Sequence, residues 1–410
     1  MKLVRRPAVP LWLLGLFTFC GPVGMHIFVP ALPAAAKDLH ATPAALELTI
    51  SVYILGLAVG QLVYGPASDR FGRRPALLVG LSLFTMASIA GLFAPDAHTL
   101  VIARFFQALG GCSGLLLARA IIRDTSQAHE AARRLALVNV LVTAGPAIAP
   151  LIGAALSGLW GWRTILIGLS ALGVANFVLA WRVLPETRQE AVFVSASQYA
   201  RDYVGLLRSR QFLGYALGGA CATTPLYAFI ACAPFIFVDT LHAPSASVGV
   251  YLALLVSGLW LGSFLASRLI DRFPLNGFLV AANAVSVAAA ASFLGLLVAD
   301  RATLAGVIGT MFAFSLGVGA AAPAALVQAI SVNPRVTGTA SGLYGSLQMA
   351  VGAALVAIAG LGANPALASA VVLVAAGVVA QTSFWVARNQ TSALVGPEGE
   401  AASEAVAAAE

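Results

Sequence analysis

The sequence predicts an all-α integral membrane protein, with twelve transmembrane helices in two six-helix bundles and both termini cytoplasmic. Three observations predict it. Hydrophobic residues make up 60% of the 410 positions and charged residues only 10%, where a soluble chain carries about 25% charged. The chain divides into twelve apolar stretches, at 9–35, 45–66, 75–94, 97–122, 133–158, 162–184, 210–238, 245–270, 275–298, 302–328, 335–362 and 365–388. Each has the roughly 20 residues that a helix needs to cross the bilayer core. With the N-terminus inside, 19 of the 23 Lys and Arg fall on the inner side, against Lys37, Arg163 and Arg301 outside and Arg104 within a span. That asymmetry is the positive-inside pattern.

The first stretch follows Lys2, Arg5 and Arg6, and Ala34-Ala35-Ala36 resembles a cleavage site. A signal peptide is set aside because the apolar run from Ala8 to Ala36 is too long for one and is broken by Pro and Gly. Between spans two and three the chain reads GLAVGQLVYGPASDRFGRRP, residues 56–75. The helix is expected to break at Gly65-Pro66. The six residues from Asp69 to Arg74 carry four charges, which cannot sit in hydrocarbon and therefore form a water-facing loop. Gly258, Gly262, Asp271, Arg272 and Phe273 repeat Gly56, Gly60, Asp69, Arg70 and Phe71 at one offset of 202 residues. An internal duplication leaves such a trace.

Span four holds Arg104 near its outer end and Arg119, Arg123 and Asp124 at its inner end, where they read as an ionic cluster. Span five is interrupted by Gly145-Pro146, Pro150 and Gly153. Prolines four apart remove hydrogen bonds on one face, and small residues admit a close neighbour, so this helix is expected to bend. Span one with Pro30 and Pro33, and span seven with Thr223, Thr224, Pro225 and Pro234, are expected to bend likewise. The longest connection, residues 185–209, divides an N-terminal bundle (1–184) from a C-terminal one (210–388). Residues 389–410, rich in Ala, Glu and Gly, read as a disordered cytoplasmic tail.

Several function classes are excluded. The net charge of +7 is scattered over short loops rather than gathered in a patch, so no nucleic-acid partner is expected. Cys20, Cys112, Cys221 and Cys232 lie in apolar runs and read as buried thiols, with no CxxC among them. No phosphate-binding Gly-rich loop or HExxH occurs, which argues against an ATP-driven machine or a hydrolase. No enzyme, metal or cofactor is expected, and the partners are the bilayer and a small-molecule substrate.

Ionisable groups within spans are the functional candidates, because each is costly there. Arg104 lies roughly 10 Å below the outer surface and either snorkels back to the headgroups or faces a central cavity. His26 lies at a similar depth in span one, as a neutral hydrogen-bond partner near Arg104 or as a packing residue. Glu47, near the outer start of span two, is either a solvated helix-start acid favoured by the dipole or a carboxylate that reaches the cavity. Tyr227, Phe229, Tyr344 and Gln348 are the candidate cavity lining.

The loop between spans two and three resembles the signature of the major facilitator superfamily, matched at Gly65, Asp69, Arg70, Gly72, Arg73 and Arg74. RFFQALGG…ARAIIRD (104–124) resembles the span-four motif of its drug:proton antiporters, and AGPAIAPLIGA their span-five motif. FVPALPAAAKDL, LELTISVYILGLAVGQLVYGP and YAFIACAPFIF resemble the bicyclomycin/chloramphenicol resistance (Bcr/CflA) branch. The resemblance implies two six-helix bundles rocking around a central cavity, in a monomer of the bacterial inner membrane. It implies that Asp69 latches the outward-open state at the start of span eleven, near Arg335–Gly338. By the duplication, Asp271 would face the start of span five near Arg133–Leu137. It further implies drug export in exchange for protons, with import or facilitation of a small polar or anionic metabolite as the alternative. One departure matters: the branch carries Asp in span one where this chain has His26. Either His26 or Glu47 then takes over proton exchange, or coupling is lost, or an unpaired Arg104 binds an anionic substrate group.

Overall fold

The computed structural model describes residues 9–126, 128–187, 196–333, 337–362 and 364–394. Among them every regular element is helical. The N-terminal elements are α1 (Leu11–His26), a 3-10 turn (Val29–Ala31), α2 (Leu32–Asp38), α3 (Pro43–Phe71), α4 (Arg73–Leu92), α5 (Ala97–Thr125), α6 (Ala128–Trp160) and α7 (Arg163–Val183). After α8 (Ala196–Arg208) come α9 (Arg210–Thr223), α10 (Pro225–Phe235) continued by a π turn to Thr240, α11 (Val248–Leu269), α12 (Leu275–Val298), α13 (Leu304–Ser331), α14 (Thr337–Gly360) and α15 (Pro365–Leu394). Eleven helical segments among the described residues are long and apolar enough to cross a membrane. α6, of 33 residues, carries a further apolar run, described over Ile148–Trp160.

Local chemistry sets the helix boundaries. Thr42, Asp96, Ser209 and Thr303 cap α3, α5, α9 and α13, each side-chain oxygen accepting the backbone N–H three residues on. Such caps satisfy donors that the first turn leaves unpaired. Pro30 and Pro33 divide span one into α1, the 3-10 turn and α2, and Thr224-Pro225 divides span seven into α9 and α10. Gly65-Pro66, by contrast, does not break span two: α3 continues to Phe71. The Ser68 hydroxyl donates to the Gly65 carbonyl within the same turn at 3.0 Å, and a single proline is tolerated inside a packed membrane helix. The helix ends at Gly72, whose φ of +102° suits glycine. Prolines 146 and 150 lie within a continuous α6. The 185–209 connection contains a helix, α8, that the sequence reading left as a linker.

The duplication is visible in the packing. A Cβ added to Gly56 would meet the Phe105 carbonyl at 2.5 Å, and one on Gly258 the Phe312 carbonyl at 2.7 Å. Gly60 and Gly262 likewise lie against Cys112 and the Leu316 carbonyl. Gly110 approaches Gly80 and Phe84 as Gly317 approaches Ala282 and Ser286. The α3–α5 and α4–α5 interfaces therefore recur as α11–α13 and α12–α13, with Met311 at the place on α13 that Arg104 holds on α5.

The two repeats meet along α3–α14 and α6–α11. One end of the bundle carries the Asp69–Arg74 loop (the loop end), and the other carries Asp38, Asp96 and Arg163 (the far end). At the far end the seam is shut. Gly360 admits the Glu47 carboxyl, Ser51 donates to the Ala353 carbonyl at 2.6 Å, and Ser346 donates to the Ala58 carbonyl at 3.1 Å. A Cβ on Gly249 would come within 2.7 Å of the Pro150 carbonyl. The α3–α14 contact ends where Gly345 touches Gln61. Beyond it Gly65 and Gly342 face open space and line a loop-end cavity of about 590 Å³.

Candidate functional site

At the loop end, the Arg73 guanidinium is the hub. It pairs with Asp69, donates from Nε to Asp124 at 2.9 Å and reaches the Ser68 hydroxyl at 2.7 Å. Glu186 completes the cluster from the chain beyond α7. Its two carboxylate oxygens accept the Arg73 and Arg74 backbone N–H groups at 2.9 and 3.2 Å. A carboxylate at a helix start complements the dipole there. Gly72 leaves room for it, since a Cβ would sit 2.5 Å from Glu186 Oε2. Arg74 also donates to the Trp181 carbonyl at 2.5 Å, and Arg70 lies over the Phe71 ring at 5.2 Å. Asp69 and Arg123 line the loop-end cavity together with Thr339 and Gly342 of the first turns of α14. The side chains of Asp271, Arg133 and Gly338, and all of Arg335, lie outside the described residues.

Arg104 does not snorkel. It is buried, with its guanidinium 4.2 Å from the centre of the Tyr53 ring and 4.9 Å from that of Phe28. Nη1 donates to Gln107 Oε1 at 2.5 Å, and Gln107 passes the chain on to the Ser88 hydroxyl at 2.7 Å. Tyr53 is itself fixed by donating to the Gly21 carbonyl at 2.9 Å. Among the described residues Arg104 makes no ion pair, and its Nε and Nη2 have no hydrogen-bond partner. Two aromatic faces thus stand where a carboxylate would be expected, because cation–π attraction is strongest when the cation is desolvated.

His26 and Arg104 are not joined by any hydrogen bond or ring contact among the described residues. His26, at the end of α1, is buried and lies 6.3 Å from Tyr227 of α10, ring centre to ring centre. It therefore faces the other repeat. Glu47 is not a solvated acid. It is 2% exposed, its carboxyl faces the Cys232 thiol of α10 and Gly360 of α14, and its Oε1 has no partner. The pattern of α3 explains why. Glu47, Ile50, Ser51, Ile54 and Ala58 recur at helical spacing on the face that meets α14.

The four C-terminal candidates divide. Tyr227 is half-buried at the seam, and Gln348 donates to the Thr223 hydroxyl at 2.7 Å beside the α9–α10 break. Phe229 does not face the seam. It is two residues, or 200° of helix, from Tyr227, and packs edge-on to Phe237 and Phe293 within the C-terminal repeat. Tyr344 is buried against Gly219 and Ala325 of α9 and α13, with its hydroxyl unpartnered. In α6, Gly145 packs on Phe19 and Val23, Gly153 on the Ile27 carbonyl, and Pro146 lies half-buried between them along the helix, while the Pro150 carbonyl meets α11.

The sequence pattern of the Major Facilitator Superfamily matches residues 14–357. The chain belongs to the major facilitator superfamily. Within it, the chain is 24% identical to the bicyclomycin resistance protein homolog of Haemophilus influenzae over 343 residues, covering 83% of this chain and 86% of that one. It is 31% identical to multidrug resistance protein D of Escherichia coli over 265 residues, 64% of this chain and 66% of that one. The fold aligns with a D-xylose-proton symporter at a TM-score of 0.73 and 15% identity, covering 92% and 96% of the two chains. As a superfamily member, the chain is a multi-pass membrane transporter and not an enzyme. Three residues of these two clusters, Gln107, Tyr53 and Glu186, were not among the candidates that the sequence offered. Gln107, three positions from Arg104 on one helix face, was legible there. Tyr53 and Glu186 act through contacts between distant segments and left no local signal.

Proposed function

We propose that the protein exports drugs or small amphipathic compounds across the bacterial inner membrane by alternating access in exchange for protons, and that Glu47 carries the proton. Glu47 is the observation that carries this reading. It is a carboxyl buried on the seam between the repeats, with one oxygen unpartnered, at the closed end. A carboxylate is costly in such a place unless a proton accompanies it. Parting of the far-end seam would expose the group to water on the outer side, where it takes up a proton; closure carries the protonated carboxyl back into this state, and the exchange is complete when the proton leaves toward the loop-end cavity. The twelve spans have both termini and the loop end in the cytoplasm, so this conformation faces inward. The compound sits between Arg104, Tyr53 and His26 of one repeat and Tyr227 of the other, with the free N–H groups of Arg104 as donors. No cofactor is needed, and a monomer suffices. The names of the bicyclomycin- and multidrug-resistance relatives support the substrate class.

A second reading has its own observation: Arg104 has no carboxylate partner. A facilitator or importer of a small organic anion would use that charge directly. Proteoliposomes with an imposed pH gradient separate the two. The exporter reading expects a phenicol or another neutral drug to accumulate against its gradient when the proton gradient is present. Drug movement indifferent to the proton gradient, or selective movement of organic anions, would overturn it.

A further inference from the structure

We propose that α8 is an anionic-phospholipid site: Arg201 and Arg208 hold the phosphate of a lipid headgroup on the outer face of this helix, while its inner face closes the loop-end cavity. At 100° per residue, Arg201, Val204, Gly205 and Arg208 fall on one face and Asp202, Tyr203 and Leu206 on the other. The structure divides them that way. The first four line a surface groove of about 360 Å³, floored by Gly205, around which a Cβ would meet nothing. All four are exposed. On the inner face, Asp202 and Tyr203 line the loop-end cavity with Asp69, Arg123 and Thr339, and Leu206 is buried with Phe212 and Tyr215 of α9.

The acid and the bases of α8 are thus sorted. The carboxylate of α8 turns inward, and the described lining of the groove holds two guanidiniums two helical turns apart. Val204 and Leu207 are large apolar residues left 45% and 42% exposed beside them. A helix with exposed apolar residues flanked by arginines, at the end of a membrane bundle, is built to lie in the headgroup layer. Guanidinium forks match phosphate oxygens, and the apolar neighbours favour a lipid over a free phosphate. Because α8 packs on both α9 and α14, a lipid that anchors the outer face would hold Asp202 and Tyr203 over the cavity. This inference rests on the chain's being a membrane protein and not on its substrate.

The test is lipid retention by the full-length protein in detergent, measured by native mass spectrometry with phosphatidylglycerol and phosphatidylethanolamine. Wild type is expected to keep a phosphatidylglycerol that R201Q weakens about fivefold and R201Q/R208Q about thirtyfold. R201K/R208K should restore most of the binding, and R301Q at the far end should leave it unchanged. sn-Glycerol 3-phosphate should not displace the lipid at matched concentration. Equal retention by wild type and R201Q/R208Q, equal retention of the two lipids, or displacement by the free headgroup would each overturn the proposal.

Discussion

Replacing Arg104 by Met separates a guanidinium that holds the fold from one that works on a substrate. The duplication suggests the variant, because Met311 fills the corresponding place in the C-terminal repeat and is fully buried. Arg104 makes two aromatic contacts and one charged hydrogen bond. These are worth about 1–2 kcal/mol per ring when desolvated and about 1.5–3 kcal/mol for the bond. Losing them costs roughly 4–7 kcal/mol. Against that, the substitution removes a buried charge without a carboxylate and two N–H groups without acceptors, a penalty of several kcal/mol, and it recovers about 2 kcal/mol of apolar burial. The terms cancel to within about 2 kcal/mol, so melting in detergent should move by less than about 5 °C. Adding Gln107→Leu removes the acceptor that Arg104→Met strands, and the double variant should be at least as stable as the single one. Both should lose substrate movement in proteoliposomes. A fall of more than about 10 °C that Gln107→Leu does not recover would make Arg104 structural and refute this reasoning. So would a stable Arg104→Met that still transports.

Three further outcomes follow from the same contacts. Glu186→Ala removes the carboxylate from the start of α4 and should cost about 0.5–1 kcal/mol, read as a lower melting temperature; unchanged melting would remove Glu186 from the loop-end cluster. Gly249→Val places a side chain against the Pro150 carbonyl, backbone that cannot yield, and should wedge the far-end seam apart. In a background with the other three thiols replaced, Cys232 should then react faster with a small maleimide, and an unchanged rate would contradict the seam. Asp96 caps α5, and its carboxylate is held below its ordinary value chiefly by the Thr99 backbone N–H. A depressed value gives stability that is complete above the unfolded-state value and lost as pH falls through the folded one. Asp96→Ala should therefore melt lower than wild type at pH 7, with the gap narrowing as pH falls through the folded-state value; a gap unchanged in acid would show that the charge plays no part.

Much of the fold was legible because its signals are local. Twenty-residue apolar runs, capping residues and proline breaks each act within a turn or two, and the glycine pairs at 56/60 and 258/262 marked the same interface twice. Gly65-Pro66 misled because a proline's single lost hydrogen bond is tolerated inside a packed membrane helix. The candidate site was legible by residue type and not by environment. Arg104, His26 and Glu47 stood out as ionisable groups in apolar runs, but the sequence could not say that Tyr53 and Phe28 would face the guanidinium. Nor could it say that Glu47 would meet Cys232, 185 positions away. Phe229 was misplaced because aromatic character alone does not tell which side of a helix faces the seam. Glu186 was missed because its partners are over 100 residues distant.

The central claim is that Glu47 couples the movement of substrate to the proton. The direct measurement compares Glu47→Gln with wild type in two assays on the same proteoliposomes: counterflow of labelled drug without a pH gradient, and accumulation driven by one. Gln keeps the size and hydrogen-bonding capacity of the side chain but cannot release a proton. The account predicts that Glu47→Gln retains counterflow and loses gradient-driven accumulation. Accumulation by Glu47→Gln at the wild-type level, especially if His26→Ala abolishes it, would contradict the account and place coupling on His26.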